Sequence, residues 1–335
     1  MKELLFKIFP DSFIRFIFNK TLRAYTIYQS YNYDRKRYKK YSDSFLMKKQ
    51  NELIGNIIKH YHVFEKGLTM PNTRLGFGQP KLIVLINECL RYIDLFGANE
   101  PQLKHAVAVI KEYENFHAEN NFALEDNTLE NLKKINTLNI EGPVSKQLVQ
   151  SSEGYFKNVM APFDEFSFSR HSLRNFKDLE IPMSSITEAL EIAKKTPSAC
   201  NRQAWRTYIF TDKALIQEIL KIQGGNRGFG HLADKLIIVT SELGVFGHSF
   251  ERNQAFIDGG MYLMNLLYAL HFKKIGTCPL NCSNTPEKDK ILQKLCSVPQ
   301  SEVFICMIAC GFPPDEFKLA TSPRYDINFT NKIIG

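Results

Sequence analysis

WRTYIFTD (205–212), KLIIVTSE (235–242) and EVFICMIACGF (302–312) are three short runs rich in β-branched and aromatic residues. Each is of strand length and is followed by turn chemistry. Between and around them lie segments with apolar residues at three- and four-residue steps: SSITEALEIAKK (184–195), FIDGGMYLMNLLYALHFKK (256–274) and PEKDKILQKLC (286–296). Strands separated by helices predict an α/β or α+β layer around a central sheet. Upstream the pattern changes. SFLMKKQNELIGNIIKHYHVFEKGL, PKLIVLINECLRYIDLF, PQLKHAVAVIKEYENFHAEN and SKQLVQSSEGYFKN all have helical periodicity, so residues 44–160 are expected to be helical.

The chain has 335 residues, 44% of them hydrophobic and 23% charged, which are ordinary globular values and exclude a disordered or collagen-like class. The formal net charge of +8 is unevenly placed. Residues 1–50 hold 12 Lys/Arg against 4 Asp/Glu, and the remaining chain holds 31 of each sign. A neutral body argues against a nucleic-acid-binding protein, and no nucleic-acid partner is expected.

The basic arm also carries 12 Phe and Tyr, with Phe6, Phe9, Phe13 and Phe16 at helical steps and DRKRYKK at 34–40. Its aromatics can pack on the body with the cations in water. Alternatively they can enter the headgroup zone of an anionic membrane as a peripheral contact. Pro10, Asp11 and Arg15 break the apolar start of the chain into pieces too short for a signal h-region, and no uncharged run approaches membrane-spanning length. The seven cysteines have no framework spacing, and two C-x3-C pairs do not fit the usual zinc knuckle; no metal site is expected. Cys306 and Cys310 lie in an apolar run and read as buried thiols of a reducing compartment. A cytoplasmic protein, open to peripheral contact at the inner face of the membrane, is the expectation.

Four segments could carry chemistry. SRHSLRNF (169–176) puts Arg170, His171, Ser172 and Arg174 within five residues, a combination of guanidinium forks and a hydroxyl suited to a phosphate monoester or, equally, to a solvated basic turn. TPSACNRQAW (196–205) offers Ser198, Asn201 and Gln203 on a turn opened by Pro197; amides can pair with a heteroaromatic edge, or simply end a helix. IGTCPLN (275–281) reads as a Gly-to-Pro turn able to present backbone N–H groups. SPRYD places Arg324 alone near the C-terminus.

In this order the four segments resemble the FMN-dependent nitroreductase family over roughly 165–330. RHSLRNF is similar to the family's R-[RH]-S-x-[RK]-x-F and PSACNRQAW to its P-S-x-x-N-x-Q-P-W, with Ala204 in place of the second Pro. The resemblance implies an α+β fold in which helices flank a mostly antiparallel central sheet, here preceded by an all-helical N-terminal region. It implies an FMN-binding domain at 161–335 and a helical extension at 1–160 that includes the arm 1–50.

By the same resemblance, Arg170, Ser172 and Arg324, with His171 beside them, would hold the FMN phosphate. Arg174 would lie by the ribityl chain and pyrimidine edge, and Asn226 of GGNRGFG by the pyrimidine side. Pro197, Ser198, Asn201 and Gln203 would reach the flavin from the partner subunit of a homodimer. The turn Pro279–Leu280–Asn281 would aim a backbone N–H at flavin N5. Phe229 stands where a Lys is often found near the N1/O2 edge, leaving Arg174 to offset the charge of reduced flavin.

The implied activity is hydride transfer from NAD(P)H through the flavin to a small organic acceptor such as a nitroaromatic or a quinone, with no catalytic side chain of its own. A flavin-binding protein without turnover, or a flavin-fragmenting or dehalogenating enzyme, are the alternatives. No Ser-His-Asp or P-loop signature is present, and GGNRGFG precedes a strand where a dinucleotide fingerprint would follow one. In the helical region His62 and Glu65, three apart, share a face as metal ligands or an acid/base pair, or else mark a solvated helix end with Lys66.

Overall fold

The computed structural model describes residues 11–42, 49–138, 140 and 147–335, the side chains of 11–19 excepted. Phe6 and Phe9, the side chains of Phe13 and Phe16, and the start of the helix expected from Ser44 lie outside the described residues.

Helix α1 (Asp11–Tyr41) contains most of the basic arm. Its tyrosines do not pack on the body: Tyr25, Tyr28, Tyr31, Tyr33, Tyr38 and Tyr41 are all exposed. The helix is instead tied down by Asp34, whose carboxylate accepts from Arg252 Nε at 2.5 Å and Nη2 at 2.9 Å.

Helices α2 (Gln50–Leu68), α3 (Gln79–Phe96), α4 (Pro101–Glu119) and α5 (Asp126–Asn136) follow. The periodicity seen in the sequence is their buried stripe. Leu53, Ile57, Tyr61 and Phe64 of α2 recur at steps of three and four and meet Leu82, Ile86 and Cys89 of α3 and Leu103, Ile110 and Tyr113 of α4 in one apolar core.

The helical region is interrupted before residue 160. Leu148–Ser151, expected inside a helix, is strand β1, and Ser151 Oγ caps the short α6 (Ser152–Phe156) by accepting from Gly154 N at 2.9 Å. Strand β1 pairs antiparallel with β6 (Glu316–Leu319), so the chain's end returns to the junction between its two parts.

After α7 (Phe163–Ser169) and α8 (Met183–Ala193) the central sheet begins. Its strands are β2 (Trp205–Phe210), β3 (Lys235–Glu242), β4 (Gly276–Asn281) and β5 (Glu302–Gly311), in the order β2-β3-β5-β4 with every pair antiparallel. The near-continuous apolar runs of β3 and β5 follow from burial on both faces. Leu236, Ile238, Met307 and Ala309 face the core beneath α9 (Lys213–Gln223) and α11 (Pro286–Leu295). Ile237, Val239, Ile308 and Cys310 face α8 and the long α10 (Gln254–Phe272). Cys306 and Cys310 are buried thiols.

The 275–281 segment differs from its sequence reading. The reversal after α10 falls at Lys273–Ile275, with Lys274 at φ 58°, and Gly276–Asn281 is edge strand β4. Pro279 is tolerated there because an edge strand leaves one row of N–H groups unpaired. Gly276 serves a close approach: a Cβ would stand 2.3 Å from Leu173 Cδ2. That gap lets residues 170–174 run along the open edge of β4, with Ser172 bridging Thr277 and Leu173 N donating to Thr277 O at 2.8 Å. Among the described residues, no helix is long and apolar enough to cross a membrane.

Candidate active site

Along the edge of β4 the 170–174 segment alternates. Leu173 and Phe176 enter the core, while Arg170, Ser172 and Arg174 turn toward a cavity of about 950 Å³. Its opposite wall is built by the helical region, through Tyr61, His62 and Glu65 of α2 and Gln102 of α4. The segment after β6 closes the cavity with Ser322, Arg324 and Tyr325. A volume of this size is at the upper end of the ~300–1,000 Å³ range of small-molecule sites.

The polar groups here are underused. Arg170 Nη1, Arg174 Nε, Thr277 Oγ1 and His271 Nδ1 are buried and have no hydrogen-bond partner. Arg170 and Arg174 line the cavity wall, and each has a guanidinium nitrogen that the protein leaves without an acceptor, a costly arrangement. The set fits a phosphate monoester: guanidinium groups of Arg170 and Arg324, the Ser172 hydroxyl, and a further guanidinium at Arg174.

Two histidines are held uncharged beside them. Burial, more than the carbonyl of Ser169 3.1 Å from Nδ1 can offset, lowers the pKa of His171. His271 lies 2.8 Å from Ser169 Oγ, whose proton goes to Phe166 O, so Nε2 donates and Nδ1 stays bare. Burial, then the charge of Arg170, brings its pKa down from 6.5 to about 4.

Of the remaining residues expected at the site, Pro279 lines the cavity, Leu280 is core, and Asn281 is exposed with its carbonyl accepting from Gln223 Nε2 at 3.0 Å. Asn226 lies off the cavity wall; its amide donates to Leu220 O at 2.6 Å and closes the loop after α9. Phe229 is fully buried.

The 197–203 turn lies elsewhere on the surface. Cys200, Asn201 and Gln203 all have positive φ, a strained run for residues with a Cβ. It is held by Ser198 Oγ accepting from Gln203 N at 3.0 Å, by the carboxylate of Asp258 on Ala199 N, and by an Arg202–Glu251 ion pair. Asn201 and Gln203 are exposed, and so are Phe256, Ile257 and Met261 of α10, the helix whose Asp258 holds the turn.

The helical region contributes more than its sequence suggested. Glu65 is neither solvated nor a helix-end charge; it is buried and ligated by donors from three segments. Lys66 donates to Gly225 O at 3.2 Å, and burial, then the Arg174 guanidinium, lowers its pKa. A cation from the helical region thus stands near Arg174 of the sheet domain. Tyr61 and Gln102 were not singled out in the sequence, where they read as ordinary members of a helical stripe.

Residues 168–312 match the nitroreductase family model. A candidate NADH dehydrogenase/NAD(P)H nitroreductase of Archaeoglobus fulgidus is 26% identical over 152 residues, 44% of this chain and 84% of the relative. A 4-nitrobenzoate reductase of Nocardioides sp. is 34% identical over 62 residues, 18% of this chain and 25% of that protein. Among solved structures, an FMN-dependent nitroreductase from Clostridium difficile is 19% identical with a TM-score of 0.41, covering 49% of this chain and 92% of that one.

The bare Nδ1 of His271 has a consequence for stability. Its folded pKa lies below the ordinary 6.5, so the unfolded chain takes up the proton first on acidification. The stabilisation is complete above pH 6.5 and is lost as pH falls toward 4. Between pH 7.5 and 4.5, urea unfolding of the wild type is expected to lose about 2–3 kcal/mol more than that of His271→Gln. Equal losses would contradict a neutral buried imidazole.

Proposed function

We propose that this chain is an FMN-dependent oxidoreductase, in which residues 161–335 bind the flavin and the helical region 1–160 forms the far wall of its cavity. The observation that carries the reading is the gathering of Arg170, Ser172, Arg174 and Arg324 on the wall of one cavity, with one guanidinium nitrogen each of Arg170 and Arg174 left without a partner. Bound FMN would supply the redox chemistry, taking hydride from NAD(P)H and passing it to a small organic acceptor. The protein's own part is to hold and orient. Arg170, Ser172 and Arg324 anchor a phosphate, and Arg174 adds positive charge on the same wall. His171 and His271 stay neutral at physiological pH, so they keep the anchoring segment in place without competing for the anion.

The strained turn with outward Asn201 and Gln203, adjoining the exposed apolar face of α10, supports a homodimer in which each chain completes its partner's site. A second reading follows from the helical wall that faces the sheet domain across the cavity: the domain holds flavin but excludes a hydride donor. Anaerobic mixing with NADH or NADPH separates the two, because bleaching of the flavin band supports turnover and an unchanged spectrum supports storage.

Wild-type protein titrated with FMN is expected to quench flavin fluorescence, while Arg170→Ala with Arg324→Ala weakens FMN at least about 100-fold, since each charge-assisted contact is worth about 1.5–3 kcal/mol. Riboflavin, which lacks the phosphate, is expected to bind the two proteins alike. Undiminished FMN binding by the double variant would remove the phosphate assignment.

The exposed tyrosines and cations of α1 suit the edge of an anionic bilayer. Full-length protein is expected to co-sediment with vesicles containing phosphatidylserine at low salt. Replacing Arg35, Lys36, Arg37, Lys39 and Lys40 by Gln should abolish this, and equal partitioning would exclude the membrane reading.

A further inference from the structure

Three elements distant in sequence meet at one carboxylate. Glu65 sits on α2 in the helical region and is 2% exposed. Its Oε1 accepts from Ser322 N at 2.7 Å and Thr321 Oγ1 at 3.1 Å, and lies 3.3 Å from His105 Nε2 of α4. Its Oε2 lies 3.2 Å from His62 Nδ1 and 3.4 Å from Ser322 Oγ. Burial alone would raise its pKa, but the donors of His105, His62 and Ser322 outweigh burial and hold the group below the usual carboxylate range. The acceptor is therefore a full anion at any working pH.

What the carboxylate grips is the segment that delivers Arg324. Ser322 is bonded through both its backbone N–H and its hydroxyl, and it has φ 43°, a left-handed conformation for a residue with a Cβ. Such a conformation persists only where its surroundings over-determine it. Immediately after it, Arg324 Nη1 donates to Ser322 O, which folds the guanidinium back over the turn. A second tether follows the same line. Tyr61 OH donates to Gln102 Oε1 at 2.6 Å, and Gln102 Nε2 reaches Pro323 O at 3.4 Å. Segment 321–324 is thus bonded to α2 and α4, although β6, which precedes it, pairs with β1 at the junction.

We propose that Glu65 is a positioning residue for the anion site: by fixing the Thr321–Ser322 turn it sets Arg324 opposite Arg170 and Ser172. The helical region is then part of the phosphate grip, and not only a cover over the cavity. Glu65 does not itself touch the ligand, since its lone pairs are occupied by five donors. The inference rests on the reading of that cation set as a phosphate site.

The test is the preference for FMN over riboflavin, measured as the ratio of the two dissociation constants on full-length protein. Glu65→Gln keeps shape but removes charge and turns one acceptor into a donor facing Ser322 N. It is expected to reduce the FMN preference about tenfold while leaving riboflavin affinity within about twofold. Thr321→Val, which removes a single donor and leaves the helical core intact, is expected to shift the ratio in the same direction by a smaller factor. It keeps the test valid if Glu65→Gln fails to fold.

A role confined to general stability would weaken both flavins equally, and that result would overturn the proposal. So would an unchanged ratio in a wild type that prefers FMN. A wild type that binds FMN and riboflavin equally would instead overturn the phosphate reading itself, which separates the two failures.

Discussion

The five hydrogen-bond donors around Glu65 tie together the two parts of this molecule. A carboxylate buried to 2% exposure is tolerable only when its desolvation is met by donors, and here they come from α2, α4 and the segment after β6. Removing that anion would leave a backbone N–H, two hydroxyls and two imidazoles to find other partners. The helical region and the sheet domain therefore do not meet across an indifferent surface. They share a polar joint beside the cavity, and the second strand pair, β1 with β6, lies at the same junction.

From this joint the cavity follows. The sheet contributes its open edge, where Gly276 lets the 170–174 segment lie against β4 and turn Arg170, Ser172 and Arg174 outward. The C-terminal segment contributes Arg324, and the helical region contributes the facing wall. The unsatisfied nitrogens of Arg170 and Arg174 show that the protein's own groups do not complete the set. A phosphate monoester has the charge and the acceptor geometry to do so.

How much of this could be read from the chain depends on range. The strands at 235–242 and 302–311 were legible because burial on both faces leaves nearly continuous apolar runs, and the half-buried edge strand at 205–210 because of its β-branched and aromatic residues. The amphipathic helices of 50–119 were legible because their stripes are local. Leu148–Ser151 was not, because this short, largely exposed strand exists only through pairing with Glu316–Leu319. Gly276–Asn281 was misread as a turn because Pro279 is permitted on an edge that only the sheet order reveals. At the site, Arg170, Ser172 and Arg174 stood out as a local polar cluster. The joint did not, since Glu65 and Ser322 are 257 residues apart and each looks ordinary in its own segment. Asn201 and Gln203 turn outward from their own chain, and Asn226 is spent on closing its own loop.

The account stands most directly on where a bound phosphate sits. A crystal structure of the full chain grown with FMN is predicted to place the phosphate within hydrogen-bond distance, about 2.7–3.0 Å, of the Arg170 and Arg324 guanidinium groups and the Ser172 hydroxyl. Glu65 should still hold Ser322 N in that structure. A phosphate bound outside this cavity, or bound here with the Glu65–Ser322 contact broken, would contradict it.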